Sequence, residues 1–380
     1  MNIMSVTVTT VTPLMVVSLF GTNMKTLGLI EGIVTASAFV SKIFSGVISD
    51  FFRRRKFFIL MGYGVSALTM PIFALAPTVG WVFFARFIDR LSNGFRDAPR
   101  DALISDITPK QFIGLCYGFR QSLGILGSVL GPLIIILFLH LTNNNYQKVF
   151  WFATIPALIA LLIGIVGVHD PAHFKNNTAK RRPLKLADIK YFKSDYWRLV
   201  SVSTIFMAGQ YSDAFLILRA EKSGIPLLLI PLVLVLMNIA YSGASIPVGS
   251  FSDRVDRRVF LGIGFLSLIV ANMMMAQCTN IWVLVVAVLI WGLHKGMTQS
   301  VFAAMVADIA PPHLRGTAFG FFHLISGFGQ FVANMIIGWL WETQGMTYAF
   351  TVSSFIVIIP LVGLLFLRDP RTYIHHLGQE

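Results

Sequence analysis

The feature that most limits what this chain can fold into is a recurring one: long, continuous apolar runs follow one another from the first residues to residue 367. A bilayer core is about 30 Å thick, so roughly twenty apolar helical residues make one crossing. Backbone polar groups find no water partners in hydrocarbon, so only helices and closed barrels span it. Barrel strands alternate apolar and polar residues over roughly ten positions. The runs here do not alternate, so the reading is an all-α membrane protein. Charged residues make up only 12% of the 380, against roughly 25% in soluble domains. Twelve spans are expected, near 2–20, 26–50, 56–76, 79–105, 111–139, 148–168, 197–220, 226–250, 258–277, 281–306, 314–340 and 347–367. Residues 1–24 carry no charged side chain and no basic n-region, so the first run is expected to be a retained helix rather than a cleaved signal.

The net charge of +13 follows from topology rather than from a nucleic-acid partner. With both termini cytoplasmic, Lys and Arg divide about 19 inside to 3 outside, as the positive-inside rule requires. The expected location is a bacterial inner membrane. Lipid is the expected surrounding partner, and a monomer is the expected unit. Two cysteines, Cys116 and Cys278, are too few for a disulfide framework. The sequence offers no metal-ligand cluster, phosphate loop or G-x-S-x-G, so neither an enzyme nor a bound cofactor is expected.

The longest polar segment, residues 169–196, separates two groups of six spans, 1–168 and 197–367, with a tail at 368–380. Its "LADIKYFKSDYW" could lie as a basic amphipathic helix on the inner leaflet or be a solvated linker. An internal repeat supports the division. "SDITPKQFIGLCYGF" (105–119) matches "ADIAPPHLRGTAFGF" (307–321) at an offset of 202, and "GVISDFFRRR" (46–55) matches "GSFSDRVDRR" (249–258) at 203. A duplicated six-helix unit with a site near the midplane is a transporter architecture.

One span is anomalous. "RFIDRLSNGFRDAPRDALISD" (86–106) carries four Arg and four Asp. At about 100° per residue, Arg86, Asp89, Arg90, Arg96, Asp97, Arg100 and Asp101 fall within an arc of roughly 140°, together with Asn93. Facing lipid, seven charges would cost on the order of 20 kcal/mol, so they must pair within the bundle or line a wet cavity. Arg86, Asp89 and Arg90 sit toward the outer half and midplane, and Arg96 to Asp101 nearer the cytoplasm, where Pro99 is expected to loosen the helix. In the second half, "MAGQYSDAFLILRAEK" places Gln210, Tyr211, Asp213 and Arg219 along the seventh span. Asp213 lies well inside that span, and a buried carboxylate is a residue type that exchanges protons. Pairing with an Arg of the fourth helix is the structural alternative. His294, Lys295 and Gln299 on the tenth span and His323 on the eleventh are further candidates. The tenth span is the repeat partner of the fourth but lacks its charge stripe.

At the loops between spans 2 and 3 and spans 8 and 9, the chain resembles the major facilitator superfamily, whose signature there reads G-x-L-x-D-R-x-G-R-R/K. Gly46, Ile48, Asp50, Arg54 and Arg55 fit, with Phe51 and Arg53 departing from it; Gly249, Asp253, Arg254, Arg257 and Arg258 fit in the second half, with Asp256 at the Gly position. "GSVLGP", with Gly127, Gly131 and Pro132, resembles the G-x-x-x-G-P signature commoner in exporters. The resemblance covers the whole chain. It is closest to a bacterial branch carrying "LGLIEG", "RDAPRDALISD", "LRAEKSGIPL" and "GLHKGMTQSVFAAMVAD" in this order. Relatives there have acidic residues in the first helix, where this chain has Thr7, Thr9, Thr10 and Thr12.

The resemblance implies twelve transmembrane helices in two pseudo-symmetric six-helix bundles, alternating access, and a cavity lined by helices 1, 4, 7 and 10. It places Arg90, in the R-x-x-x-G pattern with Gly94, beside that cavity with an effect on proton coupling. Asp50, Arg54, Arg55, Arg100, Asp101, Asp106, Asp253, Arg257, Asp308 and Arg315 are expected at a cytoplasmic gate, with Asp50 and Asp253 meeting the N-termini of the eleventh and fifth helices. The functional expectation is proton-coupled export of a small organic solute. The alternative is an uptake carrier or uniporter, and the cations Arg86, Arg90 and Lys295 favour an anion or zwitterion.

Overall fold

The computed structural model describes residues 2–52, 54–107, 113–170, 192–252, 255–309 and 315–367. The central linker (171–191) and the tail after Leu367 lie outside these ranges. The chain forms α1 (Asn2–Leu14, running on into a π-helical turn, Met15–Leu19), α2 (Met24–Phe52), α3 (Arg55–Ala74), α4 (Val79–Ile107), α5 (Ile113–Leu141) and α6 (Tyr146–Gly167). The second half contains α7 (Ser194–Ala208), α8 (Asp213–Lys222), α9 (Leu232–Phe251), α10 (Arg257–Ala276), α11 (Ile281–Ile309), α12 (Arg315–Gln344) and α13 (Met346–Gly363). Among the described residues these make twelve spans, α7 and α8 being two pieces of the seventh.

Eight spans meet a simple test of length and hydropathy for crossing a membrane. The fourth fails because of its charges, and the seventh because it is broken. The surface is inverted relative to a soluble protein. Ile163 and Val166 on α6 are 66% and 75% exposed, while Arg86, Asp89, Ser66 and Asn272 are buried. An apolar exterior over a polar interior is stable only in contact with lipid.

The repeat seen in the sequence governs the three-dimensional arrangement. α3 and α10 each span 20 residues and start 202 positions apart, at Arg55 and Arg257. α4 and α11 each span 29, starting at Val79 and Ile281, again 202 apart. Packing repeats too: α3 lies against α4 and α6 as α10 does against α11 and α13, and α1 against α5 and α6 as α7 does against α12 and α13. Even the close approaches recur. A Cβ at Gly62 would sit 2.8 Å from the Ser92 carbonyl oxygen, and one at Gly264, 202 residues later, 2.6 Å from Thr298 Cγ2. At Gly94 a Cβ would meet Ser41 Oγ at 2.5 Å, and at Gly296 it would meet the Tyr241 carbonyl oxygen at 2.7 Å. These helices pack backbone to backbone, as bilayer-embedded helices tend to do.

By packing, one compact unit holds α1, α2 from Ile33 onward and α3–α6, together with Leu227–Pro231. The other holds Asn23–Gly32, α7, α8 and α9–α13. α4 is helical through Pro99. One expectation is corrected: the seventh span is not continuous from 197 to 220, but stops at Ala208 and resumes at Asp213. Ser212 is extended (φ −68°, ψ 147°) and caps α8 with its side chain, the role Ser favours at a helix start. Several backbone groups at the break find partners outside a regular helix. Gly209 and Gln210 N–H groups donate to Phe206 and Met207, the Gly209 carbonyl accepts from Ser353 Oγ at 2.6 Å, and Ser212 N–H donates to Asn334 Oδ1 at 2.7 Å. Non-helical backbone at membrane depth survives only when satisfied in this way.

Candidate functional site

The charged stripe of α4 turns into its own six-helix unit. Asp89 is 1% exposed; its Oδ1 accepts from Ser66 Oγ of α3 at 2.5 Å and its Oδ2 from Asn93 Nδ2 at 3.1 Å. Arg86, fully buried, donates to the Val8 carbonyl of α1 at 3.2 Å. Arg90, half-buried, donates to Thr9 Oγ1 at 3.0 Å. α1 therefore supplies neutral acceptors, the Val8 carbonyl and the Thr9 hydroxyl. Further along α4, Arg96 is buried with its guanidinium 5.4 Å from the Tyr63 ring centroid, a cation–π contact. Asp97 collects Arg100 at 3.1 Å, Arg96 at 3.6 Å and Lys42 at 3.8 Å. Gly94 performs the close packing implied by the R-x-x-x-G pattern.

The second unit contains a more compact constellation at the break of the seventh span. Asp213 is the first residue of α8, so its carboxylate lies at the positive end of a half-helix. Lys295 Nζ of α11 donates to both its oxygens, at 2.6 and 2.8 Å, and Trp291 Nε1 lies 3.4 Å from Oδ1. The pair is not sealed off: the Lys and Asp side chains are 15% and 21% exposed. Asp213 thus pairs with the tenth span rather than with an Arg of the fourth. Tyr211 is buried, donates to Asn272 Oδ1 at 2.9 Å and stacks 4.6 Å from Trp291. Gln210 is buried at the break itself. His294 is fully buried, edge-on to Trp291 at 4.8 Å. Gln299 is exposed and accepts from Tyr241. His323 lies among Phe319 and Phe322 on α12.

Arg219 has a structural task. It is buried at the far end of α8 and donates from Nε to the Met275 carbonyl (2.9 Å), from Nη2 to the Cys278 carbonyl (3.0 Å) and from Nη1 to Ser223 Oγ (3.0 Å). It thereby satisfies carbonyls at the C-terminus of α10.

Of the residues expected at a gate, Arg257 pairs with Asp308 of α11. Arg258 turns back to Asp256 at 2.6 Å and reaches the Leu367 carbonyl. Arg55 is buried and donates to Ser49 Oγ at 3.1 Å, while Arg54 is exposed. The structural counterpart of Arg257 is therefore Arg55, the first residue of α3, and not Arg54 as the offset of 203 in the loop motif suggests. The side chains of Asp50, Asp101, Asp106, Asp253 and Arg315 lie outside the described residues. Gly127, Gly131 and Pro132 lie within α5, the last two buried.

Sequence reasoning missed four residues at the break: Glu31, Ser212, Trp291 and Asn334. Glu31 of α2 is 2% exposed and accepts from Ser212 Oγ at 2.7 Å. Its signal was present, a carboxylate well inside the apolar second span, far from Asp50 at the span's end. Asn334 carries no comparable signal, since its role depends on where the chain breaks.

The sequence model of the Major Facilitator Superfamily matches residues 1–239 and 214–380, the whole chain. An uncharacterised MFS-type transporter of Methanocaldococcus jannaschii is 28% identical over 366 residues, covering 93% of this chain and 89% of its own length. The Bacillus subtilis MFS-type transporter YqjV is 24% identical, covering 89% and 84%. Among solved structures, a POT family transporter superposes with a TM-score of 0.78 at 12% identity, covering 96% of this chain and 94% of its own. A D-xylose-proton symporter superposes with 0.74 at 14%, covering 97% and 96%. These two show the fold alone. With the duplicated six-helix units, the apolar exterior and the whole-length match, this chain belongs to the major facilitator superfamily and is a multi-pass membrane transporter.

Proposed function

We propose that this chain is a proton-coupled secondary transporter that exports a small organic zwitterion across a bacterial inner membrane by alternating access, as a monomer with both termini cytoplasmic. One observation carries the reading: the largely buried but still accessible Asp213–Lys295 pair at the start of a half-helix inside a membrane span. Such a pair offers an ammonium site and a carboxylate site side by side. A zwitterion enters by exchanging partners, its carboxylate going to Lys295 and its amine to Asp213. Proton and amine then compete for Asp213, and exclusive binding is what exchange of solute for proton requires. The export-type "GSVLGP" in α5 supports the same direction. The halves are taken as 1–168 and 197–367, with Arg257–Asp308 and Asp50 in the cytoplasmic gate.

The same pair supports a second reading. A pure anion takes only Lys295 and leaves Asp213 free to accept a proton, so solute and proton bind together, as uptake by symport requires. The sign of the pH dependence separates the two. A thermal-shift screen of purified protein against metabolites and drugs, run on both sides of neutrality, is the test. Zwitterions that stabilise more at the higher pH are expected. Anions that stabilise more at the lower pH support uptake. Ligand stabilisation that ignores pH refutes proton coupling in either direction.

A further inference from the structure

We propose that Glu31 is a positioning residue for the Asp213–Lys295 pair, its charge reaching that pair through Ser212. The inference rests on the proton-coupling reading of the pair. Glu31 lies in the first part of α2, the part that packs with α7–α13. Its Oε2 accepts the Ser212 hydroxyl at 2.7 Å. The same Ser212 Oγ accepts from Ala214 N–H at 3.3 Å, which caps α8. Asn334 Oδ1 takes Ser212 N–H at 2.7 Å. The residue immediately before Asp213 is therefore gripped at both N–H and O–H by side chains from outside the seventh span.

Glycines make the grip possible. A Cβ at Gly28 would lie 2.2 Å from the Asn334 carbonyl oxygen and 2.9 Å from Gly338 Cα; one at Gly338 would lie 2.5 Å from the Met24 carbonyl oxygen. The two backbones touch, which brings Glu31 and Asn334 to one serine. Glu342 Oε2 accepts from Met24 N–H at 2.7 Å and holds the register at the start of α2.

The chemistry follows from having one hydroxyl proton to direct. Ionised Glu31 is a strong acceptor and draws that proton to itself, leaving a Ser212 lone pair aimed at Ala214 N–H. Protonated Glu31 is a weaker acceptor and can donate instead, which reverses the bond and loosens the cap that orients Asp213. Other ionisable groups on the elements packed here include Lys295, His294 and Asp308 on α11, Tyr211 at the break, His323 and Glu342 on α12, and Lys25 and Lys42 on α2. Arg219, Glu221 and Lys222 lie toward the opposite end of α8. Glu31 bonds the capping serine directly.

Trp291 is a built-in reporter, since its N–H faces Asp213 Oδ1 and its ring packs on Tyr211. The experiment titrates bulk pH on full-length purified protein and takes the fluorescence difference against W291F. A Trp291-dependent transition is expected, and D213N is expected to abolish it. E31Q and S212A are expected to move its midpoint by more than about half a pH unit, and E31D to return it toward the starting protein. S212A decides the matter if E31Q does not fold, because it cuts the link without touching the carboxylate. A midpoint unchanged in the folded variants overturns the role of Glu31 and leaves the coupling reading standing. A transition that survives D213N, or no transition at all, overturns both.

Discussion

Replacing Lys295 by Met removes the counter-ion of Asp213 and keeps most of the side-chain volume. The carboxylate loses contacts of 2.6 and 2.8 Å and retains only the 3.4 Å contact from Trp291 Nε1. Breaking a buried pair by deleting one partner costs about 3–5 kcal/mol. This pair is 15% and 21% exposed, so a discounted cost of about 2–3 kcal/mol is expected. For a unit of this size each kcal/mol moves Tm by roughly 2–4 °C, so K295M should melt about 4–12 °C lower. D213N, which strands the ammonium, should lie in the same range. The double variant D213N/K295M leaves no orphaned charge and should recover about 1–3 kcal/mol relative to the sum of the single losses. Acidification should lessen the penalty of K295M, because a protonated Asp213 needs no counter-ion. Thermal unfolding of the four purified proteins at two pH values measures all of this. Additive losses, with no recovery in the double variant, would refute the ion pair as the organiser of the break.

Three further outcomes test other parts of the structure. G94A puts a Cβ 2.5 Å from Ser41 Oγ and should cost about 1–3 kcal/mol by overpacking; G243A, with nothing within 4 Å, should be neutral in the same melt. R219K should not rescue R219M, because a single ammonium cannot reproduce three donors at 2.9–3.0 Å to Met275, Cys278 and Ser223; both should lose about 2–4 kcal/mol, and equal stability of R219K and the starting protein would contradict the capping role. D308N weakens the pairing with Arg257 and should raise accessibility of cytoplasmic-side cysteines engineered near α10; D50N should act in the same direction, and no change in either variant would remove these residues from the gate.

The stripe on α4 shows how far the sequence reaches. Insertion cost alone dictated that Arg86, Asp89 and Asn93 turn inward, and they do. It could not say that Asp89 is met by Ser66, or that Arg86 is met by the Val8 carbonyl, because those partners lie on other helices, in stretches without a charge pattern. The Arg54 and Arg55 pair makes the same point. An alignment of motifs gives an offset, but the helix start decides which Arg is buried.

The sequence by itself determined the membrane class, twelve spans, the duplication and the family, because each rests on local hydropathy or on identities that repeat along the chain. Only the tertiary structure decided that the seventh span breaks at Gly209–Ser212 and that Asp213 faces Lys295. Hydropathy does not register such a break, since the residues around it are apolar on both sides. The break is stable because Ser353 and Asn334, distant in sequence, bond backbone groups that a continuous helix would have paired, and Glu31 holds the Ser212 hydroxyl.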